Sequence, residues 1–188
     1  MAIATERLTY ERYMAEDEIR QRYEIIDGVR LFMTNPTIAH QKAQGNVYAG
    51  IRAWREVTRV GEVILAPCDV LIQRSLLRTR QPDVLFISQE RLGGRSLDDP
   101  TPLEPAPELV VEILSPSNTR RDLDVKLADY AKVGVRECWI VNRASQTVEV
   151  LRLTPDGAVS VVTYGLDQKV QSLSLPSLTP AVADAFAS

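Results

Sequence analysis

The sequence predicts a mixed α/β (α+β) fold, a central twisted sheet of mixed strand direction flanked by helices. Three observations predict it. The run Leu109-Val110-Val111-Glu112-Ile113-Leu114 is apolar on both strand faces except at Glu112, the pattern of a strand covered on both sides. A helical segment and a second buried strand, Cys138-Trp139-Ile140-Val141, follow it, and strand, helix, strand in that order predicts a right-handed parallel crossover. Near each end, Asp27-Gly28 and Pro155-Asp156-Gly157 sit between strand-like runs, which predicts antiparallel pairs joined by turns that need positive φ.

The elements follow in order. Thr9 can cap a short helix through Tyr13 and Met14. Residues 23–33 read as a hairpin about Asp27-Gly28, closed by Pro36. From about Ile38 to Arg59, Val47, Ile51, Trp54 and Val57 recur at spacings of three and four and make one apolar helix stripe, ended by Gly61. Short strands are expected at 62–66, 70–72 and 84–87, and the Gly-, Pro- and Asp-rich stretch 89–107 reads as an exposed loop with one helical turn at most. The segment Ser115-Pro116-Ser117-Asn118-Thr119 offers several helix caps before a helix that stops at Gly134. Antiparallel strands at 147–153 and 159–164 and a tail ending in a short apolar helix complete the chain. All of this reads as one domain over 1–188, with the N-terminal helix and hairpin (7–36) and the C-terminal antiparallel strands (147–188) as extensions of its core.

Composition narrows the function classes. Hydrophobic residues make up 45% and charged residues 25% of 188, ordinary for a soluble globular chain. No apolar run approaches the ~20 residues that span a bilayer, and the charged N-terminus does not suit a secretory signal, so the expectation is a cytoplasmic protein without membrane contact. Cys68 and Cys138 stand in no metal-ligand spacing and read as reduced, buried thiols; with His40 the only histidine, zinc is not expected. A net charge of -3 argues against a dedicated nucleic-acid coat protein but not against a local basic strip. Gln73 to Arg80, with Arg78 and Arg80, is one such strip and Arg120-Arg121 another; each reads either as a phosphate contact or as a solvated loop.

Three polar residues break the apolar pattern. Glu112 is the single charge in its strand, and an isolated buried carboxylate costs several kcal/mol unless a cation, a lysine or hydrogen bonds offset it. A buried salt bridge, or a strand with one face open to water, would explain it without any chemistry. Asp83 heads the strand after Pro82, which removes a ladder donor; Pro-Asp is also a common turn. Lys126 lies beside the Leu123, Leu127, Tyr130 stripe of the next helix, where it either snorkels to water or reaches back over Glu112. Read together, two carboxylates with an ammonium could cradle Mg²⁺ or Mn²⁺ and hydrolyse a phosphodiester. A Lys126→Met change keeps most of the stem and is expected to spare the fold.

Gln81-Pro82-Asp83-Val84, followed by Glu108 to Ser117, resembles the PD-(D/E)XK nuclease superfamily and, more narrowly, the restriction-endonuclease-like Uma family. Tyr23 to Gly28, His40, Asp124 to Tyr130 and Gly134 to Val141 extend the resemblance over nearly the whole chain. It implies a restriction-endonuclease-like core, Asp83 and Glu112 as metal ligands, Lys126 as catalytic lysine and Glu24 as accessory acid. It further implies Mg²⁺ (or Mn²⁺) as cofactor, DNA as substrate and a homodimer that cuts two strands, and it places a histidine at His40, which reads either as a phosphate contact or as a capping or surface residue; with Arg78, Arg80 and Arg120 of the basic strips, His40 completes the candidate nucleic-acid contacts. The superfamily lysine is expected two residues after the Glu, where Leu114 stands; Lys126, from the following helix, takes that role in the Uma-like pattern. Competing readings are a non-catalytic nucleic-acid- or protein-binding module of the same fold, and a structural dimer-forming domain using Trp139 and the C-terminal strands as surface.

Overall fold

A computed structural model of the chain describes residues 7–17, 19, 21–115 and 119–187. Pro116, Ser117 and Asn118, read above as caps, lie outside them, as do the first six residues. The elements are α1 (Tyr10–Ala15), β1 (Tyr23–Ile26), β2 (Val29–Phe32), α2 (Ile38–Thr58), β3 (Gly61–Leu65), β4 (Val70–Gln73), β5 (Arg78–Arg80), β6 (Val84–Ser88), α3 (Gln89–Leu92), β7 (Leu109–Ile113), α4 (Arg120–Val133), β8 (Glu137–Asn142), β9 (Thr147–Thr154), β10 (Gly157–Tyr164) and α5 (Val182–Ala185).

A six-stranded sheet in the order β10-β9-β8-β7-β6-β3 forms the centre. β7 and β8 run parallel through the α4 crossover, and the neighbouring pairs are antiparallel. Strand alternation divides the core in two. Leu109, Val111 and Ile113 pack with Ala43, Val47 and Ile51 of α2 and Val182 of α5. Val110, on the opposite face, packs with Leu127 and Tyr130 of α4. Glu112 shares that second face, so its carboxylate points toward α4.

All the strands were expected around one sheet. Four of them instead make a second, antiparallel sheet in the order β2-β1-β5-β4, with Tyr13, Tyr23, Ile25 and Leu77 as its core. β5 accounts for the difference: Arg78-Thr79-Arg80 reads as polar loop, yet Thr79 and Arg80 are buried and pair β1 with β4. Burial of that strand rests on ion pairs made far away in sequence.

Local expectations are met elsewhere for identifiable reasons. Asp27 and Gly28 both adopt positive φ at the β1–β2 turn. Thr37 and Thr119 cap α2 and α4, and Thr119 forms a reciprocal capping box with Asp122. Cys68 and Cys138 are free and buried. Trp139 is buried in the main core, so it offers no dimer surface; on the C-terminal strands the exposed apolar residues are Val159 and Val161. No helix among the described residues is long and apolar enough to cross a membrane.

Gly61 is required by close approach. A Cβ there would lie 2.2 Å from the Ile87 carbonyl oxygen and 2.7 Å from the Ser88 Cα, both backbone atoms of the paired β6. Gly61→Ala is expected to cost about 1–3 kcal/mol or more by forcing β3 off β6. The check is urea denaturation, in which the midpoint should fall while the slope stays constant.

Candidate active site

Five elements aim polar side chains at one region. β1 supplies Glu24, β5 Arg80, the turn before β6 Asp83, β7 Glu112, and α4 Lys126, Asp129 and Tyr130. On α4 these last three stand at i, i+3 and i+4, hence on one helix face.

Asp83 extends the sheet with its side chain. Its amide donates to the Val111 carbonyl at 3.0 Å, and its Oδ2 accepts from the Ile113 amide at 2.8 Å. Its Oδ1 faces Arg22 Nη1 at 3.3 Å, and His40 Nε2 lies 3.4 Å from Oδ2. Burial alone would push this carboxyl up; the His40 contact, the Ile113 amide and the Arg22 charge outweigh it and hold it below the usual carboxylate range. His40 Nε2 is also 3.2 Å from the Ile113 carbonyl, which only accepts, so that nitrogen carries the proton when this bond is made.

Lys126 does not reach bulk water. Its Nζ lies 3.0 Å from Glu112 Oε2 and 3.1 Å from Glu24 Oε1. Tyr130 donates its hydroxyl to Glu112 Oε1 at 2.6 Å. Arg80 binds Glu24 at 2.6 Å and Asp129 at 2.8 Å, and Arg78 bridges Asp129 at 2.9 Å to Asp27 at 2.7 Å. A continuous chain of ion pairs thus runs from the β1–β2 turn to Glu112.

The charges are not evenly matched. Burial would raise Glu24, but Lys126 and Arg80 together hold its carboxyl low. Glu112 shares Lys126 with Glu24, so burial, helped by the charges of Asp83 and Glu24, pushes its carboxyl above the usual range. Lys126 pays a desolvation cost of its own, yet its two carboxylates raise its pKa far enough to keep it an ammonium throughout the neutral range.

Asp83, Glu112 and Lys126, with Arg22, Thr37, His40 and the Ile113 backbone, line one cavity of about 370 Å³. Among the described residues no three His, Cys, Asp or Glu side chains are grouped so as to hold an ion by themselves. Mg²⁺ does not need such a cage, because it commonly keeps several waters and takes one or two carboxylates plus substrate phosphate oxygens. Two carboxylates of hard oxygen on one open cavity fit that demand, and Glu112, under-compensated within the protein, is the group that a further cation would relieve.

The sequence-predicted residues are therefore distributed as follows. Asp83, Glu112, Lys126 and His40 meet at the cavity, and Glu24 stands one ion pair behind it. Arg80 is buried and its guanidinium is enclosed by Glu24 and Asp129; Arg78 is partly buried on Asp129 and Asp27. Both serve inside the protein. Arg120 is exposed at the start of α4, beside Asp124. Sequence reasoning missed Arg22, Asp129 and Tyr130 as members of the site. The spacing of Asp129 from Lys126 was a usable signal, since a carboxylate on the packed face of a helix requires a partner.

A mixed sheet flanked by helices, with two acids and a lysine gathered where its central strands meet, defines a restriction-endonuclease-like protein. The chain belongs to the Uma2 family, whose model is described as "Putative restriction endonuclease" and matches residues 8–185. Such endonuclease-like proteins generally use divalent metals. No curated protein matches the chain. Among solved structures, a crystal structure described as "a putative nuclease belonging to DUF820", from Anabaena variabilis ATCC 29413, matches with a TM-score of 0.71 at 20% identity. The match covers 95% of this chain and 97% of that one, and what it shows is the fold.

Proposed function

We propose that the chain is a Mg²⁺-dependent nuclease that hydrolyses phosphodiester bonds of DNA, with Mn²⁺ able to substitute. The observation that carries this reading is the Lys126 ammonium, 3.0 Å from Glu112 and lining the same cavity as Asp83. Asp83 and Glu112 would hold the ion. When bound, it supplies polarisation of the phosphate and acidification of a water.

The remaining work falls to the chain itself. Lys126 places a fixed positive charge at the cavity wall, where negative charge grows on phosphate in the transition state. Arg22 adds a second cation at the Asp83 side of the cavity, and His40, bonded through Nε2 to the Ile113 carbonyl, braces that wall. Glu24 is a positioning residue: through its 3.1 Å contact it holds the Lys126 amine, and Arg80 in turn holds Glu24. Arg120, exposed at the start of the helix that carries Lys126, is the phosphate contact we retain on the surface. The buried free thiols of Cys68 and Cys138 support a cytoplasmic setting.

The test is cleavage of plasmid and single-stranded DNA by the pure protein with Mg²⁺, with and without chelator, beside Glu112→Ala. Metal-dependent cleavage that is lost in the variant is expected. Cleavage that survives in Glu112→Ala overturns the assignment. A folded protein that binds DNA but never cuts it puts the non-catalytic module in its place, with Lys126 serving only to neutralise Glu24 and Glu112. For cutting both strands we expect a two-fold dimer, the commonest closed assembly. Light scattering that reports only monomer at micromolar concentration removes that expectation.

A further inference from the structure

A second cavity, of about 480 Å³, takes Gln21, Tyr23 and Gln81 into its lining, from the same stretches of chain that give Arg22 and Asp83 to the first. Along β1 and its approach, Gln21 and Tyr23 face this cavity while Arg22 lines the first one and Glu24 serves the ion-pair chain. Tyr13, Tyr23, Pro67 and Pro100 give it apolar walls, with Glu16 and Asp17 also among its lining.

Asp69 is set in that lining and is only 4% exposed. Its Oδ2 accepts from the Tyr13 hydroxyl at 2.5 Å and its Oδ1 from Gln81 Nε2 at 3.1 Å, both neutral donors. Among the described residues no lysine, arginine or histidine pairs with it, whereas Glu24, Asp83, Glu112 and Asp129 each have a cationic partner. Burial accordingly pushes the Asp69 carboxyl up, against the pull of its hydrogen bonds.

Gln81, also 4% exposed, supplies an independent sign. A carboxylate only accepts, so the amide nitrogen must face Asp69 and the amide oxygen must point elsewhere. That oxygen is buried without a hydrogen-bond partner, on a residue that lines the cavity. A buried acceptor left unsatisfied costs about 1–3 kcal/mol, so an N–H donor that reached this oxygen would be favoured. Two acceptors beside the Tyr13 ring form a donor-seeking pocket; the Tyr23 ring already carries the Arg30 guanidinium, 4.6 Å from its centroid. Glu16 is already taken by Arg30, so the acidity available to a ligand is that of Asp69 and Asp17.

We propose that this cavity is a binding site for a cationic nitrogen group, a primary ammonium or guanidinium on a short apolar stem, held by the Asp69 carboxylate and the Gln81 amide oxygen against the Tyr13 ring. Aromatic faces add to such binding by cation–π attraction. The same chemistry is offered by a free aliphatic amine and by an arginine side chain of another protein. The site shares no lining residue with the Asp83–Glu112 cavity, and its existence does not depend on nuclease activity.

The full chain is titrated with agmatine, n-butylammonium and a blocked Gly-Arg-Gly peptide, with n-butanol and deoxycytidine as neutral comparators, while the tyrosine and Thr101 resonances are followed by NMR. Saturable shifts with the cations and none with the neutral compounds are expected. Tighter binding of agmatine than of the peptide identifies a small amine as the occupant, and the reverse identifies a protein side chain. Asp69→Asn, which keeps size and shape, should weaken the cations by about tenfold or more. Met14→Trp, which crowds the cavity from a partly exposed position, should do the same if Asp69→Asn fails to fold. Equal binding of n-butanol, binding of deoxycytidine without agmatine, absence of saturable shifts with every cation, or undiminished affinity in a folded variant overturns the proposal.

Discussion

Lys126→Met is expected to lower folding stability by about 3–5 kcal/mol, the usual cost of removing one partner from a buried ion pair. The sequence alone makes this change look benign, because methionine keeps the stem. In the fold, however, the ammonium separates Glu24 and Glu112, and without it two buried carboxylates face each other with Arg80 as the nearest remaining cation. The deficit has a defined pH dependence. Lys126 is held above its ordinary range, so its stabilisation is complete below the unfolded lysine value of about 10.4 and disappears only as pH rises through the raised folded value. In the variant the orphaned carboxyls can relax by taking protons, so its deficit should be largest at neutral pH and narrow on acidification. Denaturant curves across pH measure this. A Met variant as stable as its parent at pH 7 would mean that the pair carries little energy. Cleavage, where it occurs, should fall by a large factor with metal binding retained, and Lys126→Arg should restore little of it because a planar guanidinium does not replace a compact ammonium. Lys132→Met, on the exposed side of the same helix, should be silent.

Glu112→Gln is expected to behave in the opposite sense. It removes a carboxylate that its surroundings leave under-compensated, while Lys126 keeps Glu24 and the Tyr130 hydroxyl keeps an amide oxygen to donate to. Without metal the variant should be at least as stable as its parent at neutral pH. Since the folded Glu112 value is raised above the unfolded value of about 4.3, the parent gains stability from this group as pH falls through the raised value, and the difference between the two proteins should close there. Glu24 and Asp83, held low, act in reverse: they stabilise above the unfolded carboxyl range and that contribution is lost as pH falls through their lowered values. Mg²⁺ at a hundred times its Kd should add about 2.7 kcal/mol to the parent and nothing to the variant. The readout is melting temperature against Mg²⁺ concentration, and equal shifts in both proteins would locate the ion elsewhere.

Much of this architecture could be read from residue patterns, for a physical reason. The Leu109 to Leu114 run, the caps at Thr37 and Thr119 and the Asp27-Gly28 turn are local signals, decided by a few neighbouring side chains. Glu112 was legible because it violates such a local rule. β5 was not, because Arg78 and Arg80 are tolerable in a strand only through Asp27, Glu24 and Asp129, which lie about fifty residues away in either direction. Tyr130 showed as part of an apolar stripe, which it is, but its hydroxyl partner lies on a strand that the helix pattern cannot reveal.

The ion-pair chain crosses from one sheet to the other, so neither sheet owns the centre: Glu24 and Arg80 belong to the four-stranded sheet, Asp83 and Glu112 to the six-stranded one. The smaller sheet therefore holds one side of the Lys126 ammonium. If it swings open as a separate cooperative unit, the main core can stay folded while Lys126 loses half of its anchorage. Under heat or mild denaturant, amides of β1 and β5 should then exchange with solvent by that opening while those of β7 and β8 wait for global unfolding.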